Sequence, residues 1–255
     1  MNRTAPLLLA AALLSAGPAP ADESLDDVLA RHYEAVGGID AWKAVENCRM
    51  TGRLAMPQGM EAPFAMTFLR PMKTRLEFSA QGMTGIQVYD GEKAWAILPF
   101  GGSTEPQIMP EEHAKIMREQ SDFDGPLMDW QEKGNQVELV GKESDEGVYH
   151  LKVTLDSGDV RHYFLDAESY LPTRLEATAM VQGNEMAIET SFRDYRRVGD
   201  LLMPHTIESK PKGAPGGQVL SFDTVEINVE LAEDLFLMPG ADATVAPKKA
   251  TSDDS

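Results

Sequence analysis

From residue 48 to residue 229 apolar residues recur with a period of two, in short runs broken by turn signals. That pattern confines most of the chain to antiparallel sheet. The runs lie near 48–56, 62–70, 72–79, 84–89, 93–98, 136–143, 147–155, 159–166, 171–181, 185–195, 203–210 and 217–229. Their separators, among them Pro57-Gln58-Gly59, Asp90-Gly91, Ser157-Gly158 and Gly183-Asn184, are too short to carry a crossover helix. Sequential strands must therefore be antiparallel neighbours in a long meander. One gap is longer. It holds PEEHAKIMREQ at 110–120, which reads as a helix between Gly- and Pro-rich ends. A long insert in a compact domain marks a lid or binding loop.

The segment ahead of the sheet is helical. SLDDVLARHYEAVGG opens with Ser24 and Asp27 in capping-box spacing and stops at Gly37-Gly38, with Leu25, Val28, Leu29, Tyr33 and Val36 on one face. IDAWKAVEN follows as a second short turn, with Asp40 as its cap. Residues 1–21 carry one cation, Arg3, an apolar stretch from Leu7 to Leu14 and small residues at Ala19 and Ala21, the layout of a cleaved secretory leader. No stretch approaches the length needed to span a bilayer. The mature chain is expected to be soluble, exported and not membrane-spanning, with residues 22–240 as one domain. The tail from Ala241 has the composition of disorder.

Charge and chemistry narrow the function. With 41 Asp+Glu against 23 Lys+Arg the net charge is −18, which disfavours nucleic acid and anionic membrane as partners. The single cysteine, Cys48, forms no internal disulfide and reads as a buried, inert thiol. No HExxH, G-x-S-x-G, phosphate-binding loop or cysteine pair occurs, so no metal, cofactor or catalytic residue is assigned and the chain reads as a non-enzyme. Glu111-Glu112 beside His113 reads as a solvated helix start. If Ser157-Gly158 is a two-residue turn, Val153 opposes His162 and Leu151 opposes Phe164, and His150 and His162 point to opposite faces.

Two runs break the oily-face, wet-face rule. In 62–70, Phe64, Met66 and Phe68 point one way and Ala65 and Leu69 the other. In 93–98 and just beyond, Trp95 and Ile97 oppose Ala94, Ala96, Leu98 and Phe100. Both must be covered on two sides. The candidates for the second layer are the N-terminal helix, the 110–120 helix and a ligand. Six of the 14 methionines lie between Met50 and Met83, and thioethers suit apolar surfaces that accept varied shapes.

Three segments, FLRPMKTRLEF, then GIQVYDGEKAWAILPF at 85–100, then DLFLMPGADATV at 234–245, resemble in order and spacing the periplasmic lipoprotein carriers of the LolA/LolB type. Val88, Asp90, Gly91, Trp95, Pro99 and Phe100 carry the hairpin part of the resemblance. It implies a mainly β, α+β fold: a strongly curved antiparallel sheet of 11–12 strands, an unclosed half-barrel with helices over its concave face. It also implies a periplasmic carrier or chaperone that holds an acylated lipoprotein or lipid and serves envelope donor and acceptor proteins. The arginine of the Arg-Pro step hydrogen-bonds to the lid in those carriers, a role that would pass to Arg70. Thr74 stands where they have phenylalanine. The ligand-lining candidates are Phe64, Met66, Phe68, Trp95 and Ile97. A lipoprotein-sensing envelope module without a transport role is the alternative.

Overall fold

The computed structural model describes residues 23–57, 59–181 and 184–240 of the 255. The leader assigned to 1–21 and the tail assigned to 241–255 lie outside the described residues. Strands β1 (Asn47–Ala55), β2 (Glu61–Leu69), β3 (Lys73–Ala80), β4 (Met83–Tyr89), β5 (Ala94–Ile97) and β6 (Gln107–Ile108) form a first antiparallel meander. Strands β7 (Gln136–Glu143), β8 (Val148–Thr154), β9 (Val160–Asp166), β10 (Pro172–Val181), β11 (Asn184–Val198), β12 (Leu201–Pro211) and β13 (Gln218–Ile227) form a second. Pairing of β1 with β13 joins them into one 13-stranded sheet whose free edges are β6 and β7. This is the unclosed, curved half-barrel. The sequence pattern misses only β6, whose two residues are too few to show a period.

Bulges bend the sheet by adding residues to one strand of a pair. The β1–β13 register shifts between Thr51 and Gly52, where a Cβ on Gly52 would lie 1.9 Å from the Ser221 carbonyl oxygen. Only glycine fits so close a backbone approach. The β11–β12 ladder is interrupted without a change of register, where Asp194, at φ 56°, and His205 opposite it are skipped between the Arg193↔Thr206 and Tyr195↔Pro204 pairs.

Helices α1 (Leu25–Ala35), α2 (Ile39–Lys43) and α3 (Glu111–Gln120) all pack on one face, the inner one. The Ser24–Asp27 capping box forms as read. α2 has no side-chain cap: Gly38 holds that place and Asp40 lies in the first turn, where its carboxylate meets the positive end of the helix. Val28 and Leu29 of α1 pack on Tyr149, Leu151, Val153, Tyr163 and Leu165. Cys48 is fully buried on the inner side of β1, and burial pushes its thiol up to about 12.

On the outer face, Leu231, Leu235, Phe236 and Met238 lie over Leu69, Ile86, Val88, Trp95 and Ile97. The Trp95 indole donates to the Phe236 carbonyl at 3.2 Å, and Arg75 donates to that of Leu235 at 3.0 Å. The second apolar layer demanded by Leu69, Trp95 and Ile97 is thus the C-terminal segment, which was not among the candidates for it.

The β8–β9 hairpin corrects the sequence-based register. Leu155 N–H donates to the Asp159 carbonyl at 2.9 Å, so the loop holds three residues, Asp156, Ser157 and Gly158, with Gly158 at φ 87°. Val153 faces Arg161, Leu151 faces Tyr163, and His150 Nε2 meets His162 Nδ1 at 2.8 Å on the outer face. One added loop residue moves one strand by one position, which exchanges its faces.

His32 on α1 is 6% exposed, and its Nδ1 donates to the Tyr170 carbonyl at 3.0 Å. Burial holds its pKa below the ordinary 6.5. A base with a depressed folded-state pKa contributes stability that is complete above its unfolded value and is lost as pH falls from there toward the folded value. The melting temperature is therefore expected to fall on acidification from about pH 7.5 to about pH 5.5, less steeply in His32→Leu. His162, also held down by burial, acts in the same direction, so the difference between the two slopes isolates His32. Equal slopes in circular-dichroism melts would remove His32 from this account.

Candidate functional site

The chain passes from one free edge to the other along 109–135, which crosses the inner face as a strap. Met117 of α3 packs on Tyr89 and Ala94 near the β5 side. Phe123 lies against Phe68, with ring centroids 5.5 Å apart, and against Trp42, at 5.2 Å. Leu127 joins the α1 core near the other edge, where its carbonyl accepts from the Tyr33 hydroxyl at 2.7 Å. Burial pushes that hydroxyl up to about 12.

Arg70, just after β2, fastens the strap. Two of its nitrogens donate to the Asp124 carboxylate, each at 2.6 Å. It also donates to the carbonyls of Val45 at 2.5 Å and Trp42 at 2.8 Å. The Asp124 carboxylate raises the arginine pKa above its ordinary value, against the opposing effect of burial. The grip on the strap is thus a planar, two-point ion pair, a geometry that lysine does not offer. The resemblance implies hydrogen bonds from this arginine to the lid. The strap accepts them through a carboxylate, whereas the two carbonyls Arg70 reaches lie outside the strap, that of Trp42 near the end of α2 and that of Val45 in the connection from α2 to β1.

Further ties surround this one. Lys133 donates to both Asp122 oxygens, at 2.6 and 2.8 Å, and to the Gly125 carbonyl at 2.8 Å. Burial nevertheless holds the Asp122 carboxyl above the ordinary carboxylate range. Lys43 meets Asp129 at 2.9 Å, and Arg161, on the inner side of β9, meets Glu119 of α3 at 2.5 Å. Asp124 is the partner of Arg70 that sequence reading misses. The cluster Asp122, Asp124 and Asp129 is visible in the sequence, but nothing in its spacing selects which one reaches Arg70.

The ligand-lining candidates separate. Phe64, Met66 and Phe68 share the inner face: Phe64 is core, 4% exposed and edge-on to Phe222, while Met66 and Phe68 are half-buried. Trp95 and Ile97 lie on the other side of the sheet beneath the C-terminal segment, so they do not line the same surface. Around Met66 the inner face carries further half-buried apolar side chains, Leu54, Leu76, Phe78, Ile207 and Leu220. They form an apolar trough beside the strap. Phe78 stacks on Phe100 with centroids 5.5 Å apart, in space that any Cβ at Gly85 would fill. Thr74 is 2% exposed on the same face, between Phe68 and Tyr89, and its hydroxyl has no hydrogen-bond partner. It stands at the position for which the resemblance implies a phenylalanine.

Among the described residues no group of three or more His, Cys, Asp or Glu is placed to hold a metal ion, and no helix is long and apolar enough to cross a membrane.

No family model and no curated protein matches the sequence. Solved structures do match. A DUF1329 family protein from Desulfovibrio piger superposes with a TM-score of 0.58 at 14% identity, covering 82% of this chain and 96% of the other. A LolA superfamily protein from Nitrosomonas europaea gives 0.55 at 13% identity, covering 83% and 96%. A putative outer membrane lipoprotein-sorting protein domain from Vibrio parahaemolyticus gives 0.54 at 13% identity, covering 82% and 94%. At such identities the likeness is one of architecture, and the chain has the fold of the LolA-like proteins.

Proposed function

We propose that this chain is a periplasmic carrier or chaperone that holds the acyl chain of a lipoprotein or lipid in the apolar trough of its inner face. The observation that carries the reading is the set of half-buried apolar side chains around Met66, Leu76 and Phe78, beside a strap fastened by Arg70 and Asp124. A soluble protein leaves so continuous an apolar surface half-covered when something else completes it. Binding would rest on apolar burial, at about 25 cal/mol per Å², with few polar contacts to fix the ligand's identity. Exchange would follow release of the strap. No catalytic constellation is assigned, and the activity is binding and delivery.

The reading is tested by purifying the mature chain from the periplasm, extracting bound lipid and titrating the stripped protein with N-phenyl-1-naphthylamine, whose fluorescence rises in apolar surroundings. An acylated species is expected to co-purify. Met66→Asp, which places a charge on the trough floor without removing a fully buried side chain, is expected to weaken probe binding about tenfold or more while shifting the melting temperature little. An empty wild-type protein that leaves the probe dark would overturn the carrier reading.

A further inference from the structure

Beyond the Phe78–Phe100 stack the same inner face of the sheet extends to the β6 edge. There the inner side of β5 and the chain leading into α3 enclose a cavity of about 240 Å³. Its apolar wall includes Ala96, Leu98 and Met109, and its polar wall Ser103, Glu105, Gln107 and His113. Ala96 lies opposite Gln87 in β4, as Leu76 does from the other side, so this cavity and the trough share one face. Exposed apolar side chains gather around it: Leu98 at 41%, Phe100 at 42% and Ile108 at 57%. Among the described residues neither Lys nor Arg lines it, and its one lining carboxylate is Glu105. Glu112 follows outside the lining in the first turn of α3, where Glu111 is paired with Arg118 at 2.9 Å, and the chain as a whole has a net charge of −18.

From this charge distribution and from the face shared with the trough we infer that the cavity is the subsite for the polar end of the ligand, and that it selects an ammonium head group over an anionic one. The inference rests on the acyl-binding reading. An acyl chain lies along Phe78, Leu76 and Met66, and the head group turns past Phe100 into the corner, where Glu105 supplies the opposite charge and Ser103 and Gln107 supply hydrogen-bonding groups. The cavity is open to solvent, so the preference is electrostatic and weakens as salt is added.

The experiment displaces N-phenyl-1-naphthylamine from the mature chain at low salt with dodecylamine, dodecanol and dodecanoate, three probes that share a chain and differ in head. Dodecylamine is expected to displace the probe at about one-fifth the concentration needed for dodecanoate, with dodecanol between them, and about 0.5 M salt should close the gap. Glu105→Gln should bring the amine and alcohol together, and Leu98→Lys, at a position already half in water, should reverse the order in favour of dodecanoate. Equal displacement by all three probes, or an amine preference untouched in both variants, would overturn the subsite and leave the trough standing. A wild-type protein that never binds the naphthylamine overturns both.

Discussion

Phe236→Ala is expected to destabilise the protein by about 3–5 kcal/mol, the range for truncating a buried aromatic side chain. Phe236 is 3% exposed and lies on Val88, fully buried, and Trp95, 1% exposed. Its removal opens a cavity at the centre of the outer-face layer and loosens the backbone that accepts the Trp95 indole N–H. For a domain of this size the loss corresponds to about 8–15 °C in melting temperature. Leu237→Ala is the control: the neighbouring side chain is 46% exposed, and its truncation should cost no more than about 0.5 kcal/mol. Chemical denaturation followed by tryptophan fluorescence measures both. A Phe236→Ala variant within about 1 kcal/mol of wild type would mean that the C-terminal segment merely rests on the sheet. Below its melting point the variant should still bind an apolar probe, because the layer it damages lies on the face opposite the trough.

That separation of faces marks where the sequence is legible and where it is not. Period-two patterning found every strand but β6, because each strand's alternation is a local property set by the pleat. The Ser24–Asp27 box was legible for the same reason. The double-sided runs announced a second apolar layer, and that too was sound. What alternation does not encode is what lies on each face: Phe64 and Trp95 both read as residues needing cover, and only the topology puts one on the inner face beside Phe222 and the other on the outer face beneath Phe236. The covering segment, DLFLMPG, is short and irregular, so its role as a lid over the outer face has no periodic signature. Register fails similarly. A three-residue loop and a two-residue loop differ by one backbone hydrogen bond, yet that bond decides whether His150 and His162 are on opposite faces or in contact. Arg70 stood out because a cation ends an apolar strand, while its partner Asp124 lies 54 residues away in an irregular loop.

Arg70→Leu is expected to cost about 2–4 kcal/mol, toward the lower end of the range for breaking a buried pair because the arginine side chain keeps contact with solvent. The loss is asymmetric. Asp124, with 10% of its side chain exposed, is left as a carboxylate without its counter-ion, and the Trp42 and Val45 carbonyls each lose a donor. Asp124→Leu removes the charge that Arg70→Leu strands, so the double variant should be less destabilised than the two single losses summed, by about 1.5 kcal/mol or more. The kinetic readout separates a latch from a staple. If the ion pair gates the trough, the off-rate of N-phenyl-1-naphthylamine should rise about tenfold in Arg70→Leu and in Asp124→Leu alike, with no further rise in the double variant, because either single change already frees the strap. Lys133→Ala provides the comparison, since it cuts a tie within the strap and leaves Arg70 on Asp124. Lost stability with unchanged release in the Arg70 and Asp124 variants would make the pair a structural clasp, and strap opening would then not be the step that frees the ligand.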